Sequence, residues 1–325
     1  MAKKIKDTDY LAVSAQIRAM ENHLLNGQRL EQVLTARSME DALKIVQEFG
    51  YPDLTAPVPE AIDSAILAAR EKMEREIALP DVGWVDVFKY KHDYHNLKTL
   101  LKARLTGVDA SHILVHLGRF STQTLRQAGG EDIWDPLPDR FAENAREAKR
   151  IIDTTRDGQL MDIFLDRVCY QEMLDAAQES PFLTGFIRRQ IDSVNLRALV
   201  RTLRMKKTAE FLRQVLIPGG TVAEEEILAV SAGGGSGLEE LYASTVFVSA
   251  VETEPLSSGA LTEFERLCDD AVTEYLDRAG FVPFGEEAVI AYFAARETEF
   301  TNLRIVLLGR SMDLPADVIR ARLRA

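Results

Sequence analysis

Four of the five histidines, His92, His95, His112 and His116, crowd into one short stretch of the chain. The spacings His92-x-x-His95 and His112-x-x-x-His116 place two imidazoles on one face of a helix, as a zinc site requires. The second pair lacks the glutamate of an H-E-x-x-H site, because Ile113 stands in its place. Surface or interface histidines are therefore expected rather than a metal centre. Gly233-Gly234-Gly235-Ser236-Gly237 invites a phosphate-loop reading, but Leu238-Glu239-Glu240 follow where a Walker A loop needs Lys and Ser or Thr. Gly219-Gly220 leads to Glu224-Glu225-Glu226, which repel phosphate, so both glycine runs read as flexible connections. No G-x-S-x-G elbow surrounds any serine, and Cys169 and Cys268 have no histidine nearby in sequence. No catalytic residue, metal or cofactor is expected.

The asparagines carry a stronger signal. Three of the six share one local pattern: an acid at −3, leucine at +1, a base at +2 and aliphatics at +4 and +5. The copies are Asp93/Asn96/Leu97/Lys98/Leu100/Leu101, Asp192/Asn195/Leu196/Arg197/Leu199/Val200 and Glu299/Asn302/Leu303/Arg304/Val306/Leu307. From average composition an asparagine meets the −3, +1 and +2 conditions only about a few times in a thousand, so three in six is a repeat.

On a helix the aliphatics at +1, +4 and +5 share a face, the acid projects onto it, and the base at +2 points away. A carboxylate on an apolar face is costly unless paired or hydrogen-bonded. Asparagine inside a helix loses roughly 0.5–0.7 kcal/mol against alanine. Asp93, Asn96, Asp192, Asn195, Glu299 and Asn302 are thus expected to form polar clamps that fix helix register, with partners on a neighbouring helix of the same repeat.

The elements that must position these residues are helices. Ser38 followed by Glu40 and Asp41 marks a helix start, and Gly50-Tyr51-Pro52 its stop. Pro59-Glu60 opens a long stretch through Ile66, Leu67 and Met73 that should end at Pro80. Leu183, Ile187, Ile191 and Val194 line one helical face, as do Val289, Phe293, Phe300, Leu303 and Leu307. Only residues 244–251 suggest a strand. The expected class is all-α, with three similar helical domains divided near 108 and 208, giving repeats over 1–108, 109–208 and 209–325.

Charge follows the same division. Of 39 basic and 51 acidic side chains, the first two segments hold 15 and 16, then 15 and 15, while residues 209–325 hold 9 and 20. This acidic third serves solubility or steers a basic protein partner. The net charge of −12 argues against nucleic-acid backbones as the main partner. Two cysteines cannot build a disulfide framework, which fits a reducing cytoplasm. Met1-Ala2-Lys3-Lys4-Ile5 is followed by no apolar core of a secretory leader, and the longest apolar run is far below the about 20 residues of a membrane span.

The segment Lys91-His92-Asp93-Tyr94-His95-Asn96-Leu97-Lys98-Thr99-Leu100-Leu101-Lys102 resembles a signature of the C subunits of bacterial and archaeal V-type (A-type) ATPases, the family that includes the d subunit of eukaryotic V-ATPases. Ile191-Asp192-Ser193-Val194-Asn195-Leu196-Arg197 and Leu165-Asp166-Arg167-Val168-Cys169-Tyr170 resemble two further segments of that family. Gln16–Leu25 resembles its opening helix and Glu297–Arg304 its closing one; 120–150 and 217–237 match least. The resemblance implies a funnel of three helical domains without catalysis of its own. Such a protein sits in the central stalk as a socket between the rotor shaft and the membrane proteolipid ring. It implies a cytoplasmic position, peripheral to the membrane through the ring, during ATP-driven proton or other ion transport or ATP synthesis. The residues alone leave open a helical-repeat adaptor with unrelated partners, which co-purifying proteins would distinguish. They also leave a metal-dependent hydrolase built on the histidines, which elemental analysis would reveal.

Overall fold

A computed structural model describes residues 6–52, 54, 58–77 and 83–324 of the chain. Among these residues every regular element is a helix. The α-helices run α1 (Leu11–Met20), α2 (Gly27–Thr35), α3 (Met39–Glu48), α4 (Pro59–Glu76), α5 (Val87–Thr106), α6 (Thr122–Glu131), α7 (Asp139–Thr155) and α8 (Gly158–Ala177). They continue with α9 (Pro181–Arg204), α10 (Ala209–Val215), α11 (Glu224–Ala232), α12 (Leu238–Tyr242), α13 (Val248–Val251), α14 (Thr262–Asp277), α15 (Glu286–Ser311) and α16 (Ala316–Arg320). No described helix is long and apolar enough to cross a membrane.

Local chemistry sets many of the boundaries. Ser38 Oγ accepts the Asp41 amide at 3.0 Å and opens α3, and Ser180 Oγ accepts the Leu183 amide at 3.1 Å and opens α9. Pro59 and Pro181 occupy first helical positions, where a missing N–H costs nothing. Gly107, at φ +72°, ends α5 in the left-handed conformation that only glycine adopts freely. The expected stop at Pro80 and the residues Met1–Ile5 lie outside the described residues.

The segment 244–251 is not a strand. It turns through Thr245 and enters α13, with Phe247, Ala250 and Val251 buried. Its period-2 pattern is that of a short apolar run enclosed by other helices, for which periodicity cannot separate the two states.

Two compact units make up the chain: one runs to Leu165 and resumes over Val282–Arg324, and the other is Asp166–Phe281. In the first, both ends of the sequence share one core. Leu30, Val33, Val46, Ile62 and Ile66 from α2–α4 pack with Phe300, Leu303, Val306 and Leu307 of α15. In the second, Leu196, Leu199 and Val200 of α9 pack with Leu212, Ile227, Tyr242, Phe247, Phe264 and Cys268. The positions 108 and 208 fall just after α5 and at the N-cap of α10.

Candidate functional site

Asn96 lies on α5, Asn195 on α9 and Asn302 on α15, and each side chain makes the same two hydrogen bonds. The Asn96 amide donates to the Val115 carbonyl at 2.7 Å while its oxygen accepts the Val115 N–H at 2.8 Å. Asn195 grips Ile217 at 2.8 and 2.9 Å, and Asn302 grips Arg324 at 2.8 and 2.9 Å. One primary amide thus satisfies both polar groups of a single residue outside any helix, as a paired strand would. The gripped backbone lies 19, 22 and 22 residues downstream.

The acid three residues earlier holds a second point. Asp93 accepts the Phe120 N–H at 3.2 Å and the Arg119 Nε at 2.6 Å. Asp192 accepts the Thr221 N–H at 2.8 Å, the Val222 N–H at 3.1 Å and the Thr221 hydroxyl at 2.5 Å. Glu299 accepts the Leu25 N–H at 3.1 Å, the Tyr51 hydroxyl at 2.5 Å and Arg296 Nη1 at 2.6 Å. In each case the held amide directly precedes the N-cap residue of a helix: Ser121 before α6, Ala223 before α11 and Asn26 before α2. None of the six clamp side chains exposes more than 3% of its surface.

Two features differ from the sequence expectation. The clamp partners outside the clamp helix lie on connecting segments, as backbone groups joined by the Arg119, Thr221 and Tyr51 side chains, and not on a neighbouring helix. Backbone groups outside a helix lack the intrahelical partner, and at these points buried carboxylates and amides of the helices supply it. The bases at +2 do not all point away either. Arg197 bonds the Glu265 carbonyl at 2.9 Å and Asp269 Oδ1 at 2.5 Å, and Arg304 Nε bonds Asp63 Oδ1 at 2.7 Å. Their long side chains curl back onto α14 and α4.

Close approach to the two aspartates explains two glycines that sequence reasoning either missed or read as flexible. A Cβ on Gly118 would stand 2.2 Å from Asp93 Oδ1, and one on Gly220 would stand 2.2 Å from Asp192 Oδ1. Each lies two residues before an amide that the carboxylate holds. The signal available in sequence was a glycine two positions ahead of a helix's N-terminal approach, too common to single out. Gly220→Ala should therefore destabilise the chain by about 1–3 kcal/mol through overpacking and loosened hydrogen bonds. Gly27→Ala, with nothing within 4 Å of its added Cβ, serves as the control. Equal urea midpoints for the two variants would refute the close-approach reading.

Beside the third clamp, α15 carries a buried ion cluster. Glu297 pairs with Arg70 of α4 and lies 3.3 Å from both Lys91 Nζ and His92 Nε2 on α5. Burial alone would raise the Glu297 carboxyl, but Lys91 and Arg70 outweigh it and hold it at about 2. Burial lowers His92 to about 4, against the pull of Glu297. Neighbouring Asp93 is pushed up by burial to about 6, despite Arg119 and the Phe120 amide. The other histidines face elsewhere: His95 Nε2 is 3.1 Å from the Ile113 carbonyl, and His116 Nδ1 is 3.1 Å from the Thr122 hydroxyl. Among the described residues no three His, Cys, Asp or Glu side chains converge as metal ligands do.

These shifts have opposite signs in pH. The unfolded chain protonates His92 below about 6.5 but the folded chain only below about 4, so His92 costs stability as pH falls through that window. Asp93 does the reverse between about 6 and 3.8, because the folded form takes its proton first. The parent should thus show a flattened acid profile. Relative to it, His92→Gln should gain up to about 3 kcal/mol between pH 7 and pH 4.5. Denaturant midpoints of the two proteins that run parallel over that range would contradict it.

The whole span of these helices corresponds to one known family. The model of the ATP synthase (C/AC39) subunit family matches residues 13–322. The chain belongs to that family. The C subunit of the V-type sodium ATPase of Enterococcus hirae is 24% identical, over 97% of this chain and 98% of that protein. The C subunits of the A-type ATP synthases of Desulfurococcus sp. and Methanocaldococcus jannaschii are 25% and 24% identical, over 93% and 97% of this chain and 86% of each relative. Membership of the C/AC39 family makes the chain a component of a V-type or A-type ATPase, a family whose members are generally non-catalytic parts of a rotary machine. All three clamps fall within the matched span except the backbone of Arg324 that Asn302 holds.

Proposed function

We propose that this chain is the non-catalytic socket of a rotary ATPase's central rotor, receiving the rotor shaft and resting on the membrane proteolipid ring. It would lie on the cytoplasmic side, peripheral to the membrane, and pass torque in either direction between ATP turnover and ion transport. The observation that carries this reading is the end-to-end correspondence with relatives named as the C subunits of such ATPases. A torque-bearing part must be stiff, and connectors tied at two points to buried helix side chains support that property.

The clamps also support three repeats, each built on one clamp helix. In this reading α5, α9 and α15 each open a repeat. In the first two the gripped connector leads into α6 and α11; in the third Asn302 holds Arg324 while Glu299 holds Leu25, which leads into α2 near the start of the chain. The third repeat is completed by the N-terminal helices, which explains why α2–α4 share a core with α15.

Membranes assembled with the remaining ATPase components but without this chain should hydrolyse ATP and fail to drive ion uptake, and adding the chain should restore uptake. Full ATP-driven uptake in its absence would refute the socket reading. The acidic last third would steer a basic partner. Glu224, Glu225 and Glu226 form the first turn of α11, where they also complement the helix N-terminus. Replacing all three with glutamine should slow association with the purified shaft at low salt and leave it unchanged at 1 M salt, where the Debye length is about 3 Å. Equal rates at low salt would leave these glutamates a solubility feature.

A further inference from the structure

The third clamp departs from the other two in the residue it grips. Asn96 and Asn195 hold Val115 and Ile217, whereas Asn302 holds Arg324, whose side chain is exposed. Arg324 thereby stands at the rim of a cavity of about 550 Å³ bounded by α5, α15, α16 and the connector that carries Val115. Val115, Ile305, Leu308, Met312 and Leu314, none of them fully buried, supply an apolar wall over the core residues Leu117, Phe300 and Ile319. Lys91, Arg304, Arg322 and Arg324 supply four cations against one lining carboxylate, Glu297. Lys91 is engaged by Glu297 and Arg304 by Asp63, which leaves Arg322 and Arg324 with no ion-pair partner among the described residues. A cationic rim over an apolar pocket is unexpected in a chain of net charge −12.

We propose that this cavity binds an anionic amphiphile, an acyl chain carrying one carboxylate or phosphate. The volume lies within the roughly 300–1,000 Å³ of ordinary small-molecule sites, and the lining has their usual make-up of apolar walls with a few placed polar groups. Methylenes buried on the wall leave water and so add affinity with chain length, and the Arg322 and Arg324 guanidinium groups receive the head through charge-assisted hydrogen bonds. Asn302 holds the backbone from which Arg324 reaches the rim.

Isothermal titration of the full chain with decanoate, kept below its micellar concentration, should show saturable one-to-one binding. Decanol and decyltrimethylammonium should bind at least tenfold more weakly, and inorganic phosphate should not bind measurably. Arg322→Gln with Arg324→Gln should weaken decanoate at least tenfold at an unchanged melting temperature, and Leu308→Trp should block it by filling the pocket. Sedimentation with phosphatidylglycerol vesicles, but not phosphatidylcholine vesicles, would name a lipid head as the source; decanoate binding without vesicle binding would name a free acid. Equal binding of the neutral and cationic chains, or full decanoate affinity in the double arginine variant, would overturn the proposal. So would a double variant that fails to join its ATPase partners while neither form binds decanoate, since the rim would then serve a protein contact.

Discussion

Arg70→Met should destabilise the chain by about 3–5 kcal/mol, a larger effect than any clamp substitution. Arg70 is only 2% exposed. Its guanidinium pairs with Glu297, donates to the Leu117 carbonyl at 2.5 Å and lies over the Phe300 ring. Methionine keeps much of the volume but leaves a buried carboxylate facing only Lys91 and His92, and leaves the carbonyl without its donor. A buried carboxylate left with one cation, Lys91, where it had two dominates the cost, together with the unsatisfied carbonyl. The double change Arg70→Met with Glu297→Gln should therefore recover a large part of the loss. The same logic fixes a pH dependence: because Glu297 titrates near 2 in the fold, its contribution is present above pH 4.5 and fades as pH falls toward 2. Urea denaturation of the three proteins at pH 7 decides the matter. A double variant no more stable than Arg70→Met would place the cost in packing instead of charge.

Asn195→Leu should cost about 2–4 kcal/mol. Leucine is close in shape but offers nothing to the Ile217 N–H and carbonyl, and Ile217 is 2% exposed, so water cannot replace the amide. Two orphaned backbone groups each forfeit roughly 1–3 kcal/mol, and relaxation of the connector returns part of that. Asn302→Leu should cost less. Arg324 is exposed, and solvent can satisfy the groups that Asn302 releases. Equal costs at the two positions would mean that the amides act through packing and not through the backbone they hold. A melting temperature unchanged in Asn195→Leu would remove the clamp from the account of stability altogether.

The reading of all-α structure came from local signals that act over one helical turn. Ser38, Ser180, Pro59 and Pro181 do in the fold what their residue types dictate at a helix start, because the amides they cap or forgo are neighbours in sequence. The run 244–251 went the other way for the same reason: eight residues carry too little periodicity, and burial on all sides of Phe247 and Val251 erased the contrast that separates strand from helix.

Recurrence of Asp/Glu-x-x-Asn-Leu-Lys/Arg three times was enough to mark Asp93, Asn96, Asp192, Asn195, Glu299 and Asn302 as residues under one shared constraint, since chance does not supply it. It could not say what they hold. Their partners lie 19 to 30 residues away in two clamps, and 274 residues away for Glu299 with Leu25, and most are backbone groups that every residue carries alike. A main-chain N–H has no sequence signature. Only the path of the chain decides that Val115, Ile217 and Arg324 meet an asparagine, that Gly118 and Gly220 have no room for a side chain, and that α2 near the start of the chain closes the core of α15 near its end. Residue identity set the demand for buried hydrogen bonds; tertiary structure selected the donors, because burial removes water as the competing partner wherever the chain happens to return.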